Sequence, residues 1–279
     1  GSALSPLELI NPRSKITGDT PVVKESTHYF FPLSKFQDRL KEWIASHGEW
    51  KPNVVNYCNG WFKTGLHDRA ITRDMAWGVP VPVEGNDGKV IYVWFEAPIG
   101  YISITKEYFE ELGTPEKWKD YWCKDDTMLV HFVGKDNIIF HAIFFPAMIM
   151  AHGDLILPDN VPANEFLNFE GGKLSKSRGH SIDVAYAVGK YNPDSVRYAL
   201  ATSLPENKDS DFYWKDLQAK NNNELGAILG NFVNRTFVFA EKYFEGVVPE
   251  AGEYKEIDSN IINSIKSYTS SIASYYENY

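Results

Sequence analysis

The chain has 279 residues, 43% of them hydrophobic and 15% aromatic, with eight tryptophans; this composition excludes a disordered chain, and the length predicts about two domains. No run of about 18 apolar residues occurs, so no membrane-spanning helix is expected; the apolar stretch from Ile138 to Met150 is interrupted by His141 and Pro146. A formal net charge of −9 argues against nucleic acid held by bulk positive charge, so any such contact must rest on local basic patches.

Residues 1–30 read as loop and short strand, punctuated by Pro12, Gly18 and Pro21, and Gly1-Ser2-Ala3 reads as a tag-cleavage scar rather than a secretory signal. Apolar spacing predicts a helix from Leu33 to His47, with Ser34 as N-cap and Gly48 just past its end. A second helix is predicted from Pro52 to Thr64, stopped by Gly65. The turn Gly85-Asn86-Asp87-Gly88 is bracketed by a strand pair whose second member, Val90 to Phe95, reads as a strand buried on both faces of a parallel sheet. A further strand, Met128 to Val133, leads through Gly134-Lys135-Asp136 into an apolar helix from Ile138 to Ala151. Strand, tight turn and helix in that order form the place where open α/β sheets bind nucleotides.

Next come a strand from Glu165 to Phe169, a glycine- and lysine-rich loop from Gly171 to Gly179, and short helices near Ile182 to Val188 and Pro193 to Ala201. From Trp214 onward the sequence reads helical: Leu217, Leu225, Ile228, Leu229, Phe232, Val233, Phe237 and Val238 form a stripe near period 3.6. A last helix begins near Asp258, with Ile261, Ile262, Ile265 and Ile272 apolar. Cys58 and Cys123 have neither zinc-site nor disulfide spacing and read as ordinary thiols of a reducing, cytoplasmic setting.

Three segments carry chemistry. In Gly172-Lys173-Leu174-Ser175-Lys176-Ser177-Arg178-Gly179, two lysines flanked by glycines put two ammonium groups on a loop that can close over a polyphosphate. In Gly134-Lys135-Asp136 the glycine admits close backbone approach, and the Asp136 carboxylate can accept from a ribose hydroxyl; a lone turn of this kind also serves as a plain helix cap. In Tyr92-Val93-Trp94-Phe95-Glu96-Ala97-Pro98-Ile99-Gly100-Tyr101, flat aromatic walls and one phenol suit an unbranched thioether, although the same residues also suit core packing.

Together these segments resemble the methionyl-tRNA synthetase family, class I aminoacyl-tRNA synthetases. Lys173 to Ser177 resembles its Lys-Met-Ser-Lys-Ser signature, with Leu174 in place of Met, a volume-conserving exchange. His131 to Asp136 is similar to the family's ribose-binding turn, and Tyr92 to Tyr101 to its amino-acid pocket strand, with Glu96 where the family has Asp. Phe145 stands where the family often has Trp, and Asn137 where it commonly has Ile. The likeness extends to Ser5 to Ser14, Ile71 to Asp74, Trp77 to Pro82, and Asn222 to Gly226 with Asn231 to Arg235.

The resemblance implies an α/β fold: the second half of a Rossmann-like catalytic domain with a connective-peptide remnant, followed by the start of a helical anticodon-binding bundle. It divides the chain into residues 4–65 (connective-peptide remainder), 66–162 (second half of the catalytic fold), 163–213 (lysine-loop linking region) and 214–279 (start of the anticodon-binding domain). It implies catalytic roles for Lys173 and Lys176, and ATP binding by Gly134, Asp136, Lys173, Ser175, Lys176 and Ser177. Methionine would be lined by Trp94, Ala97, Pro98, Tyr101, His141 and Phe145.

The implied activity is ATP-dependent activation of methionine and transfer to tRNA(Met), with Mg²⁺ accompanying ATP and with neither membrane nor DNA as partner. The family's His-x-Gly-His motif and the cysteine pairs of its zinc knuckle do not occur in the sequence. The chain is therefore expected to be a fragment, inactive alone, with zinc only in a knuckle upstream of it. Two other readings stay open: a different class I synthetase (for Leu, Ile or Val, disfavoured by the aromatic Trp94-to-Tyr101 segment) or a related nucleotidyltransferase, and a non-catalytic binding or interaction module on a synthetase fold.

Overall fold

Stretches that alternate β-branched and aromatic residues are few in this sequence, and the strands that form are correspondingly short. The structure, a computed structural model, describes residues 11–13, 19–23 and 25–279; most of the Ser5-to-Ser14 segment lies outside them. Among the described residues, strands of two or three residues pair two at a time, and helices supply most of the regular structure. The chain divides into two compact units. The first takes the residues up to Gly48 with Cys58–Leu129 and Ile139–Pro158; the second takes Glu49–Tyr57, Val130–Ile138 and Asp159–Tyr279.

In the first unit, β1 (Phe30–Phe31) pairs antiparallel with β2 (Arg69–Ala70). A 3₁₀ turn over Leu33–Phe36 leads into α1 (Gln37–Ser46), which buries Leu40 and Ile44. Ser34 is not the N-cap that the sequence predicts: its hydroxyl donates to Asp68 Oδ1 at 2.6 Å, and the 3₁₀ turn displaces the α-helical start to Gln37. The helix α2 (Pro52–Thr64), with residues 52–57 counted in the second unit and 58–64 in the first, runs over the predicted residues, buries Val54, Cys58 and Phe62, and is followed by Gly65 at φ +81.

The Val90-to-Phe95 segment departs from its prediction. Only β4 (Lys89–Ile91) is extended, and it pairs antiparallel with β3 (Thr72–Asp74), while a bridge from Pro80 to Val90 closes the Gly85–Gly88 turn. Tyr92 then begins a helical turn, α3 (Val93–Glu96), which leads through Ala97 and Pro98 into α4 (Ile99–Glu111). An apolar run of this length fits a strand and a helix start equally well by periodicity, and the fixed φ of Pro98 favours the helical continuation.

Past a 3₁₀ turn and the short α5 (Lys119–Trp122), the apolar helix predicted from Ile138 is present in two parts: a π-helical stretch, Ile139–Phe144, then α6 (Phe145–His152). Pro146 has no N–H to donate and its ring crowds the carbonyl four residues earlier, which widens the preceding turns. Gly153, at φ +92, ends α6. Trp122, Phe145 and Ile149 form the core here, with Ile102, Trp118 and Leu129 packed against them.

In the second unit the strand predicted over Met128 to Val133 shrinks to a bridge from Val130 to Asn160 and then β5 (Val133–Gly134), parallel to β6 (Ala163–Asn164). The predicted Glu165-to-Phe169 strand is β7 (Leu167–Phe169), parallel to β8 (Ser210–Phe212). Between them lie α7 (Val184–Lys190), capped by Asp183, and α8 (Pro193–Ala201), capped by Asn192. Ala199, Phe212 and Leu217 are the buried centre, with Leu167 and Phe169 against them. Helical structure continues as predicted from Trp214: α9 (Trp214–Lys220), a π-helical stretch Asn221–Gly230 and α10 (Asn231–Phe244), followed by α11 (Glu256–Glu277). Much of the predicted apolar stripe is uncovered; Phe232 and Phe237 are 69% and 70% exposed.

Candidate functional site

In the first unit, the helical turn α3 and the start of α4 carry Trp94, Ala97, Pro98 and Tyr101, while the π-helical stretch and α6 carry His141 and Phe145. The structure brings Tyr101, His141 and Phe145 together. Tyr101 Oη and His141 Nε2 lie 2.9 Å apart in a hydrogen bond whose donor depends on the imidazole tautomer. The Phe145 ring meets Tyr101 edge-on at 6.5 Å and Trp122 at 6.3 Å, and it is fully buried. Trp94 joins a second aromatic group by stacking on Phe140 at 4.4 Å between centroids and 12° between planes.

Phe140, on the same π-helical stretch as His141, is a residue that sequence reasoning missed; the sole signal was its adjacency to a singled-out histidine. Pro98 is buried and Ala97 exposed at the α3–α4 junction, where Tyr101 N–H donates to the Pro98 carbonyl at 3.3 Å. Arg73 braces the approach to α3. Its guanidinium lies 4.0 Å from the Tyr92 ring centroid and donates to the carbonyls of Ala70 and Thr72 at 2.9 and 2.7 Å. Aromatic walls around a phenol–imidazole pair, its imidazole buried and its phenol partly open to solvent, can hold an apolar, polarizable side chain and offer it a polar contact.

In the second unit, Gly134 is the extended residue that joins β5 to the 3₁₀ turn Lys135–Asn137. A Cβ at Gly134 would stand 3.0 Å from Asp136 Oδ1, so the missing side chain is what lets this carboxylate fold back over the turn. Asp136 itself is exposed. Lys135 is committed elsewhere: its ammonium binds Asp209 at 2.6 Å and Glu165 at 2.8 Å. Hydrogen bonds to Asp209 first, and then to Glu165, hold Lys135 above the ordinary lysine range. Asp209 is held low by Lys135 and by the Phe166 N–H, and Glu165 by Lys135 with help from Asn53.

The lysine loop is a hairpin closed twice. Phe169 and Gly172 exchange both backbone hydrogen bonds, at 2.8 and 2.9 Å, across Glu170 at φ 48 and Gly171 at φ 77. Positive φ at both central residues is a type I′ turn, and Gly at the second position is what it favours. Ser175 and His180 exchange a second pair at 2.7 and 3.0 Å around the 3₁₀ turn Lys176–Arg178. His180, unnoticed in the sequence, ties the two closures together through Nε2 on the Phe169 carbonyl at 2.7 Å. Lys173 and Lys176 are exposed and Ser175 is half-buried. The side chain of Ser177 lies outside the described residues.

Such a hairpin carries two exposed lysines three residues apart, which suits a polyanion. Among the described residues no three His, Cys, Asp or Glu side chains converge to hold a metal ion. Burial pushes the Cys58 thiol up to about 12.

Residues 1–237 match the family model described as tRNA synthetases class I (M), and the chain belongs to that family. Within it the chain is 54% identical over 283 residues to the methionine–tRNA ligase of Christiangramia forsetii, and 53% identical over 289 residues to that of Salinibacter ruber. Those alignments take in 100% and 99% of this chain but 41% and 40% of the relatives, so the chain spans about two-fifths of their length.

Among solved structures, Mycobacterium tuberculosis methionyl-tRNA synthetase in complex with methionyl-adenylate has a TM-score of 0.77 at 28% identity, covering 95% of this chain and 51% of that one. The apo form of the same enzyme gives 0.75 at 26%, covering 95% and 50%. The fold is that of a class I synthetase catalytic domain, mixed α/β and rich in helix. No described helix is long and apolar enough to cross a membrane.

Proposed function

We propose that this chain is part of a methionine–tRNA ligase and carries its methionine pocket, its ribose-binding turn and its lysine loop. The observation that supports this most is the Tyr101–His141 pair, 2.9 Å apart, in which the imidazole is buried and the phenol partly open to solvent, with Tyr101 set against the Phe145 ring. An aliphatic-substrate pocket has no use for a phenol–imidazole pair, whereas a thioether gains from ring edges and one polar contact.

In this reading Trp94, Ala97, Pro98, Tyr101, His141 and Phe145 line the methionine side chain. Gly134 and Asp136 receive the ribose, and Lys173, Ser175, Lys176 and Ser177 receive the phosphates. A methionine carboxylate oxygen bonds to the α-phosphorus of ATP while the bond to the β-phosphate oxygen breaks, giving methionyl-adenylate and pyrophosphate. The 3′-terminal ribose of tRNA(Met) then takes the acyl group and AMP leaves. Lys173 and Lys176 stabilise the charge that grows on the departing pyrophosphate, and positioning supplies much of the remaining acceleration.

Magnesium fits this site as a companion of the phosphates, since Mg²⁺ keeps several waters and few protein ligands. Zinc belongs, on this reading, to a knuckle upstream of the chain. Residues 4–65 would be connective peptide, 66–162 the second half of the catalytic fold, 163–213 the lysine-loop link and 214–279 the start of the anticodon-binding bundle. The uncovered apolar faces of α10 and α11 support that last assignment, because a bundle helix needs neighbours. Two free thiols fit a reducing cytoplasm.

The test is exchange of labelled pyrophosphate into ATP by the full-length protein, with methionine or leucine as the amino acid. Exchange driven by methionine alone is expected; exchange driven equally by leucine, or none at all, overturns the reading. The isolated chain is expected to show no aminoacylation.

A further inference from the structure

Phe166 lies just before β7, anchored on both sides of its peptide: its N–H donates to Asp209 Oδ1 at 2.9 Å and its carbonyl accepts from Ser210 at 3.0 Å. Two lysines share its ring, with Lys135 Nζ 4.3 Å and Lys173 Nζ 5.2 Å from the centroid. The hairpin explains the second contact. Continuing the Phe169–Gly172 pair by one residue sets Lys173 opposite Asn168, on the strand face away from Leu167 and Phe169, which pack toward the core. The diagonal neighbour of Lys173 on that face is Phe166.

The two cations are not equivalent. Lys135 is neutralised by Glu165 and Asp209, so the three groups together carry one negative charge and do not repel a second ammonium. Among the described residues no carboxylate pairs with Lys173, and the ring is its seat. A carboxylate seat would hold the lysine by a charge-assisted bond and cancel its charge. An aromatic seat holds it weakly, by about 2–5-fold in occupancy at an exposed site, and leaves the charge intact.

We propose that Phe166 is a positioning residue for Lys173: its ring fixes where the first lysine of the loop waits, charged and releasable, until a nucleotide polyphosphate draws it away. This rests on the reading of the lysine loop given above, and the experiment separates the two. In the full-length protein, methionine-dependent pyrophosphate exchange is measured for Phe166→Leu, Phe166→Trp and a series with mono-, di- and trifluorophenylalanine at that position. Fluorination drains the negative face of the ring at nearly constant shape.

The expected result is a loss of about 2–5-fold in kcat/KM for ATP in Phe166→Leu, with KM for methionine unchanged, near-full activity in the Trp variant, and a graded loss along the fluorinated series. A flat fluorinated series overturns the proposal and leaves Phe166 as packing alone. So does a Phe166→Leu loss that persists undiminished in a Lys173→Gln background. If Lys173→Gln itself leaves exchange untouched, the reading of the loop fails first, whatever Phe166 does.

Discussion

Beside His141 the polar atoms are few and the Phe145 ring is packed into a core, whereas around Lys173 the polar atoms are many and face solvent. In the first region the Tyr101–His141 hydrogen bond lies beside Phe145, whose ring is held in turn by Trp122 and Ile149, and its geometry comes from side-chain packing. In the second, the positions of Lys173 and Lys176 come from backbone: two exchanged hydrogen-bond pairs, a type I′ turn and a histidine strut. A site made by packing is rigid because its rings cannot move without opening cavities. A site made by a twice-closed hairpin fixes its base and leaves its lysine tips held weakly, as Lys173 is by the Phe166 ring. On the proposed function, the contrast fits a pocket that selects and a loop that closes over phosphates.

The most severe way to break the contrast is to remove a ring that belongs to pocket and core at once. Phe145→Ala deletes a side chain 1% exposed between Tyr101 and Trp122. Truncation of a fully buried Phe costs about 3–5 kcal/mol, so a large drop in the urea midpoint of the chain is expected. A change below about 1 kcal/mol would mean that the ring is pocket wall alone and the region is not packed as a core.

The second test is on the loop and reaches activity without stability. Lys176 is exposed on the 3₁₀ turn and supports no core contact. On the proposed function, Lys176→Ala in the full-length protein slows methionyl-adenylate formation by about 10²–10³, the scale for one transition-state donor. Its unfolding midpoint is expected to stay put. An unchanged exchange rate would remove Lys176 from the catalytic set.

These two residues also mark how far the sequence was legible. Helices with clear ends were readable to the residue: Pro52–Thr64 before a positive-φ glycine, and Pro193–Ala201 behind the Asn192 cap, which accepts from Asp194 and Ser195. The lysine string and the Gly134 turn were readable because their chemistry is local. Val93 to Glu96 was not, since a short apolar run carries no period of its own and the helical outcome is set by Pro98 and by packing on Phe140. Phe140, His180 and the Lys135 bridge to Asp209 escaped because each takes its meaning from a contact between residues distant in sequence.

A third test sharpens the packed side through its thiols. Cys58 is fully buried and its thiol is pushed from 9.0 up to about 12 by burial, while Cys123 is half-buried and is also raised, chiefly by the same cause. A raised thiol pKa means that the folded chain keeps a proton that the unfolded chain loses, so the Cys58 contribution to stability is flat below about pH 9 and falls as pH rises toward 12. Alkylation at pH 8 is expected to mark Cys123 first and Cys58 only through unfolding. Equal labelling rates would show that the α2 core opens readily.

The smallest expected effect lies at the hairpin turn. Glu170 occupies φ 48, which strains a residue with a side chain by about 1 kcal/mol or more. It also accepts from the Trp214 N–H through Oε1 at 2.9 Å, a bond to a charged group worth about 1.5 kcal/mol at the low end that suits an exposed site. Glu170→Asn supplies the Asn-Gly pair that type I′ turns favour but shortens the acceptor beyond reach of Trp214. Strain relieved and bond lost nearly cancel, so the urea midpoint should move by no more than about 0.5 kcal/mol, with the lysine loop still active in exchange. Loss of about 2 kcal/mol or more would show that the Trp214 contact, not the turn, holds the hairpin, and the distinction between a packed pocket and a backbone-built loop would have to be redrawn.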